Sequence, residues 1–387
     1  MNFIERYIDY ASEFCDAPLK FHKYVAFSIL STVVGRKIWI QKGDAKFFPN
    51  LWILLISPSS KFHRSTSINI GKNILQKLEG INIYANDFSR EGFIKLLQNQ
   101  PQGLFRIDEF GGFLKTLDRE YQSGLKELIT ELYENPSYYK RFLSGNIVEL
   151  KDICFTILAG SNLKWIQNSL KDSDILGGFL PRFIIVPAEK KEKIIPFQPP
   201  ASSTKQFSLL QELSRIRRIE GEFHLPEITK SIYSNWYISF QQQFHSETFD
   251  GFCIRLLDYA LKFALLFEVQ NENQDYFISP ESMTFAIELI EEITKGLLLI
   301  GENLVGFSRK DFASAKQKVF SIIAQHPEGI SRGYLLHQTD LKAKELSEIL
   351  DVLLEAELIV SERVRIDGAK KSTVILKKNS LFSPDSL

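Results

Sequence analysis

Cysteine is scarce. Three residues of 387, Cys15, Cys154 and Cys253, stand far apart in the chain. Their spacing excludes a disulfide framework, matches no metal-ligand pattern and points to a reducing compartment. No stretch of about 18 uncharged apolar residues occurs, which argues against a membrane span. The first residues, Met1-Asn2-Phe3-Ile4-Glu5-Arg6, lack the basic region and apolar run of a secretory signal. These absences predict a soluble, cytoplasmic protein. Net charge is missing too: Lys+Arg and Asp+Glu are both 47. That balance excludes a wholly basic nucleic-acid coat and leaves room for a local basic patch. The histidines, His22, His63, His224, His245, His326 and His337, form no cluster, so none reads as a metal ligand. No internal repeat is visible.

What the chain does have is apolar bulk. Hydrophobic residues make up 44% and aromatics 12%, with 31 Phe, as expected of a globular chain with a sizeable core. The length suits two or three domains. Helical spacing predicts two helices over 3–35, parted by Pro18, and a short strand at 37–40. From Leu51 the pattern changes. Leu51-Trp52-Ile53-Leu54-Leu55-Ile56 is the continuous apolar run of a strand buried on both faces. A polar loop and a helix over 65–78 follow, which is the opening of a parallel α/β unit. Further strands are expected at 81–84, 104–107, 154–159 and 183–186, and helical stretches at 90–98 and 114–134. A parallel sheet of about five strands results. The charged, then Pro-rich stretch 189–204 marks a boundary. Helices at 228–244, 254–268 and 280–300 come next. The predicted segments are an N-terminal helical piece (1–45), an α/β core (46–190), a helical extension (205–305) and a compact C-terminal module (309–378).

The sharpest chemical signal is Ser57-Pro58-Ser59-Ser60-Lys61-Phe62-His63-Arg64-Ser65-Thr66, between the buried strand and the helix. A phosphate-binding loop needs that context, because loop amides and the helix N-terminus surround the phosphates. A cation then reaches the β/γ oxygens and an adjacent hydroxyl holds Mg²⁺. Arg64 is the candidate cation and Ser65 the candidate Mg²⁺ ligand. Ser59, Ser60, Lys61, His63 and Thr66 complete the candidate ATP contacts. The loop departs from G-x-x-x-x-G-K-[ST]. Ser57 or Pro58 takes the first Gly position, His63 the second, and Arg64 the Lys. Arg's planar fork is not interchangeable with an ammonium, and Lys61 is a possible substitute.

The second signal is Gly103-Leu104-Phe105-Arg106-Ile107-Asp108-Glu109, an apolar strand ending in two carboxylates, the Walker B arrangement. Asp108 would bind Mg²⁺ and Glu109 would activate the attacking water. Asp108 follows Ser65 by 43 residues, room for one intervening strand and helix. Asp-Glu in this place also suits a plain helix start. Asn162, at the end of the next core strand, is a candidate γ-phosphate sensor. Arg182, before a strand, and Arg255, opening an apolar helix, are candidate arginine fingers, in their own subunit or in a neighbour.

With these residues in hand, the chain resembles the YfjI-like family, bacterial and phage P-loop proteins described as helicase-like and often fused to primase modules. The resemblance covers roughly residues 5–300. It is carried by Cys15-Asp16-Ala17-Pro18 through Val33-Val34-Gly35-Arg36, by Phe48-Pro49-Asn50-Leu51-Trp52 leading into Pro58-Ser59-Ser60-x-x-His63-Arg64-Ser65-Thr66, and by Ile107-Asp108-Glu109-Phe110-Gly111-Gly112-Phe113. The family loop, S-S-x-x-R-K-S-T, places its Lys on Arg64 and its Arg on His63. The resemblance implies a RecA-like core, ring or partner-dependent assembly, and a role in mobile-element replication.

Residues 309–378 read as a winged helix. Helices are expected at 312–325, from 330 with Ser331 as cap, and at 342–356. A hairpin follows, 363–366 and 373–376, with Asp367-Gly368 at its turn. A winged helix sets its third helix in the major groove and its wing on the backbone. The module holds 13 basic and 10 acidic residues. Lys342, Lys344, Arg363, Arg365, Lys370 and Lys371 are the candidate DNA contacts. Glu345, Glu348, Asp351 and Glu355 on the third helix would repel phosphate and suit protein docking instead. The predicted fold is therefore α/β, a RecA/AAA-like parallel-sheet P-loop core with a helical domain and a C-terminal winged helix. The expected function is an ATP- and Mg²⁺-dependent, DNA-associated motor that works as a homo-oligomeric ring or with replication or mobile-element proteins. The alternative is a non-hydrolysing nucleotide-binding adaptor or replication initiator that recruits partners.

Overall fold

The structure is a computed structural model. It describes residues 1–58, 61–84, 88–119, 122–143, 146–188, 190–243, 250–272, 275–339, 341, 343–356, 358–364 and 373–379. The chain divides into two units, Met1–Gly301 and Glu302–Leu387.

The first unit opens with α1 (Phe3–Phe14). Asn2 and Glu5 cap it reciprocally, each side chain bonded to the other's amide. Pro18 leads into α2 (Leu19–Val34), which is buried on most of its circumference. Gly35, at φ 51°, ends that helix, and a Cβ there would meet the Gln102 side chain at 2.5 Å. A ribbon follows, β1 (Ile38–Lys42) and β2 (Ala45–Phe47).

Then comes β3 (Trp52–Ile56), buried at every position, and α3 (Arg64–Leu75). The succession continues with β4 (Ile83–Tyr84), α4 (Arg90–Asn99), β5 (Gln102–Ile107), α5 (Phe110–Leu117) and α6 (Leu125–Leu132). A hairpin, β6 (Tyr138–Leu143) and β7 (Asn146–Lys151), precedes β8 (Cys154–Ser161). Short helices α7 (Leu163–Gln167) and α8 (Asp172–Leu176) and a 3₁₀ turn at Leu180–Arg182 lead to β9 (Ile184–Pro187). Helix α9 (Ser203–Ile216), strand β10 (Gly221–Phe223), helix α10 (Glu227–Gln243), helix α11 (Asp250–Glu268) and helix α12 (Pro280–Ala324) follow. The division between the units falls within α12.

Among the described residues the main sheet is five-stranded and wholly parallel, in the order β4-β5-β8-β3-β9. Its strands are near-continuous apolar runs because helices cover both faces. Trp52 anchors the core: its ring stacks on Phe155 at 5.7 Å and meets Tyr133 edge-on at 5.0 Å. Such aromatic pairs contribute roughly 0.5–1.5 kcal/mol each beyond their burial. Helix α2 lies on this sheet through a buried Ser31 Oγ–Thr156 Oγ1 hydrogen bond of 2.7 Å, and Ser31 Oγ accepts from Leu51 N at 3.1 Å.

Three features differ from the sequence reading. The strand expected at 37–40 does not stand alone, because β1 pairs with an unexpected β2 and, in parallel, with the distant β10. The stretch expected to be helical over 114–134 contains the break between α5 and α6. The hairpin β6–β7 had no counterpart in that reading. No helix among the described residues is long and apolar enough to cross a membrane.

In the second unit, β11 (Ile330–Ser331), α13 (Arg332–Gln338), α14 (Ala343–Glu355), β12 (Ile359–Val364) and β13 (Thr373–Lys378) follow the end of α12. The sheet is antiparallel in the order β11-β13-β12. Val319, Ile323, Leu335, Leu346, Leu353 and Leu376 form its core. Ser331 caps α13 by accepting from Tyr334 N at 3.2 Å.

Candidate functional site

Strand order locates the site. After β3 the chain runs through α3 to β4, beyond β8 and β5. After β8 it turns the other way, to β9 beside β3. Connections leaving adjacent parallel strands in opposite directions open a crevice at their carboxyl ends, where ligands bind in such sheets. Register puts Ile56 beside Ser161 and Pro187, and Ile107 beside Ala159. The loop after β3, Asp108-Glu109 and Ser161 therefore share one sheet edge.

The loop surrounds a cavity of about 260 Å³, lined by Ser57, Pro58, Phe62 and residues 63–66. Helix α3 begins at His63, which takes a left-handed conformation, φ 47° and ψ 34°. Its first intrahelical bond of this end is Ser67 N to His63 O, 3.0 Å. The amides of Arg64, Ser65 and Thr66 thus lack intrahelical acceptors, as at any helix N-terminus. Ser65 and Thr66 are exposed in this first turn. Lys61 is exposed, with Nζ 5.5 Å from the Phe62 ring centroid. Ser59 and Ser60 lie outside the described residues.

Arg64 lines the cavity, but its guanidinium lies along the strand ends. Nη1 donates to Ser57 O at 3.2 Å and to Ser161 O, and Nη2 is 3.7 Å from Glu109 Oε2. Burial pulls this guanidinium below its usual range, and Glu109 and Asp108 oppose the shift. Gly160 makes the room: a Cβ there would lie 2.6 Å from Arg64 Nε.

Asp108 Oδ2 accepts from Arg106 Nη2, and Arg106 Nη1 bonds Asn69 Oδ1 of α3 at 2.7 Å. Asp108 Oδ1 is buried without a hydrogen-bond partner. Glu109 Oε1 accepts from Ser161 Oγ. No three His, Cys, Asp or Glu side chains gather into a metal set among the described residues. Mg²⁺ does not need one, since it is held by one or two protein ligands together with phosphates and water. The orphan Oδ1 of Asp108 and the exposed Ser65 hydroxyl fit that demand.

Asn162 caps α7, accepting from Trp165 N at 2.9 Å. The residue that faces Glu109 from β8 is Ser161 instead. Sequence reasoning missed it because the strand runs two residues beyond the predicted 154–159. Also missed were Arg106 and Asp16, the second being 2.5 Å from His63 Nδ1.

Arg182 and Arg255 lie at the other end of the sheet. Arg182 Nη2 and Arg255 Nη1 are 3.3 and 2.9 Å from one oxygen of Glu134, and both guanidiniums sit about the Tyr133 ring at 5.4 and 5.5 Å. Tyr133 packs on Trp52, which begins β3, and Arg182 immediately precedes β9. The loop is at the carboxyl ends of the same strands, so neither arginine joins its own chain's site. A larger cavity, about 490 Å³, lies over α5 and α6. Its charges satisfy each other: Lys126 bridges Asp118 and Asp174 at 2.7 and 2.6 Å.

In the second unit, Lys344 falls on α14 and Arg363 on β12. Lys342, Arg365, Lys370 and Lys371 lie outside the described residues. No known family model and no curated protein sequence matches the chain.

Proposed function

We propose that the first unit binds ATP–Mg²⁺ at the loop after β3, and that the protein is a DNA-associated ATPase with a RecA/AAA-like core and a C-terminal winged helix. The observation that carries the reading is the meeting at one sheet edge of a helix N-terminus with free amides, a carboxylate pair and a strand-end hydroxyl. In this reading the amides of residues 64–66 hold the phosphate chain. Ser65 and Asp108 hold Mg²⁺, which would neutralise phosphate charge and polarise the transferred group. Arg106 fixes Asp108. Ser161 orients Glu109, the base that positions water. The resemblance to the YfjI-like family supports a place in replication of mobile elements, with a ring or a partner completing the site.

A second reading has a specific observation behind it. Arg64 and Ser161 both engage Glu109, and Arg64 rests on strand carbonyls. A site in this arrangement binds nucleotide without activating water, as an adaptor or replication initiator would.

Two measurements separate the readings. MgADP binding should be clear in the parent chain and lost in Asp108→Ala; unchanged binding in that variant rejects the site. ATP turnover, with and without single- and double-stranded DNA, then decides between motor and adaptor.

A further inference from the structure

Residue 63 holds a conformation that its side chain does not favour. A left-handed φ is sparsely populated by non-glycine residues, and glycine stands at this place in the standard loop because it adopts it freely. His63 makes no side-chain cap bond to α3 that would compensate. Such conformations persist where the surroundings over-determine them.

The surrounding group is Asp16, in the corner between α1 and α2. Its side chain is 4% exposed, and Oδ1 lies 2.5 Å from His63 Nδ1. The two atoms meet in a close polar contact without hydrogen-bond alignment. The same Oδ1 is 2.9 Å from Lys191 Nζ, and Oδ2 accepts from Ile195 N at 3.3 Å. Burial works against the Asp16 carboxylate, but Lys191, the Ile195 amide and His63 outweigh it and hold the group below its usual range. The other ring nitrogen, Nε2, has no hydrogen-bond partner among the described residues. The polar contact of the imidazole is thus with the corner between α1 and α2.

We infer that Asp16 is a positioning residue of the loop, an inference that rests on the nucleotide reading of that loop. By anchoring the His63 ring it keeps residue 63 left-handed, and so keeps the amides of Arg64, Ser65 and Thr66 converging on the cavity. A side-chain clamp supplies here what glycine supplies by conformational freedom. The clamp also ties the loop to the segment that leaves β9, because Lys191 shares the same carboxylate oxygen.

The test is a four-way comparison of the full chain: parent, Asp16→Ala, His63→Gly and the double variant. Each is measured for MgADP affinity by calorimetry and for its unfolding midpoint without nucleotide. Asp16→Ala should weaken MgADP binding by about five- to tenfold, the scale of one strained residue released. His63→Gly supplies the background in which residue 63 is left-handed without a clamp, whatever its own affinity. Adding Asp16→Ala to His63→Gly should then change affinity by less than about twofold, a non-additivity expected only of coupled residues. An equal loss in both backgrounds overturns the clamp, because Asp16 would then act only through Lys191 and Ile195. If Asp16→Ala does not fold, Asp16→Asn goes through the same comparison. If the parent chain binds no MgADP, the nucleotide reading fails, and the unfolding midpoints judge the clamp alone. Non-additive midpoints sustain it and additive ones overturn it.

Discussion

Replacing Gly160 by alanine tests where Arg64 rests. A Cβ at 160 would lie 2.6 Å from Arg64 Nε, 2.9 Å from its Cδ and 3.2 Å from Ile68 Cδ1. Gly160 is not among the residues with positive φ, so backbone strain does not enter. Alanine by itself would help a strand by roughly 0.5–1 kcal/mol. Against that, Arg64 must either leave its carbonyl acceptors on Ser57 and Ser161 or strain the sheet. Losing a charge-assisted bond costs about 1.5–3 kcal/mol, and overpacking a core costs about 1–3 kcal/mol. Gly160→Ala should therefore destabilise the nucleotide-free chain by about 1–2 kcal/mol in a denaturant titration. In an Arg64→Ala background the clash is gone apart from Ile68. There the same substitution should fall within about 0.5 kcal/mol of neutral, a coupling in the range seen for residues in contact. MgADP affinity of Gly160→Ala should be at or above the parent value, because the displaced guanidinium is moved towards the cavity it already lines. An equal cost in both backgrounds would refute the placement of Arg64 against Gly160.

Other outcomes follow from the same geometry. Lys262 is fully buried, donating to Asn50 O, Asn50 Oδ1 and Tyr133 Oη, and burial lowers it to about 7 despite Asp258 and Glu134. A lysine lowered by folding binds fewer protons in the native than in the unfolded state. Stability should therefore rise with pH from about 7 to about 10.5, at up to roughly 1.4 kcal/mol per unit, and Lys262→Met should flatten that rise in chemical denaturation. Arg64→Lys should raise ATP turnover more than it changes MgADP affinity, since a fork fitted to the ground state is misplaced in the transition state; lower turnover would mean a site tuned to arginine. Reversing Lys370 and Lys371 to Glu should weaken DNA binding and reduce its log–log salt slope, roughly −0.9 per phosphate neutralised. DNA binding unchanged by that reversal would point to docking of a protein through the acidic third helix.

The parallel sheet was legible because its strands are unbroken apolar runs, and Leu51–Ile56 has no other reading. The loop and Asp108-Glu109 were legible because they are contiguous signals at strand ends. What stayed hidden was pairing at long range. Strand β10 is three residues, Gly221–Phe223, and owes its form to its partner β1 rather than to any pattern of its own. A turn signal, Ser144-Gly145-Asn146, does stand between β6 and β7 in the sequence, and it was passed over. Asp16 could not be assigned to the loop from sequence, because α1, α2 and the sheet must assemble before it meets His63. Ser161 was one residue away from the residue chosen, Asn162, and strand ends are where pattern reasoning is least exact. Asn162 has the composition of a sensor and the geometry of a helix cap, two roles that one side chain at a strand-to-helix junction can equally advertise.

The two ends of the sheet divide the chain's cations. At the amino end, Arg182, Arg255 and Lys262 crowd the Tyr133 ring within 5.5 Å, and Glu134 and Asp258 answer them. Arg182 is lowered by burial and by Arg255, which is the signature of cations held together by packing. That cluster braces Trp52 and the start of β3 and has no route to the carboxyl end. At the carboxyl end the loop has Arg64, drawn onto strand carbonyls, Lys61 in solvent, and His63 tied to Asp16. Transition-state charge on a phosphoryl group demands a cation placed beside it. Among the described residues of the loop, Arg64 leaving the strands or Lys61 folding inward would supply that cation. In the proposed nucleotide reading, hydrolysis would require a rearrangement of the loop that binding alone does not, and a ligand or partner with higher affinity for the rearranged loop would have to drive it.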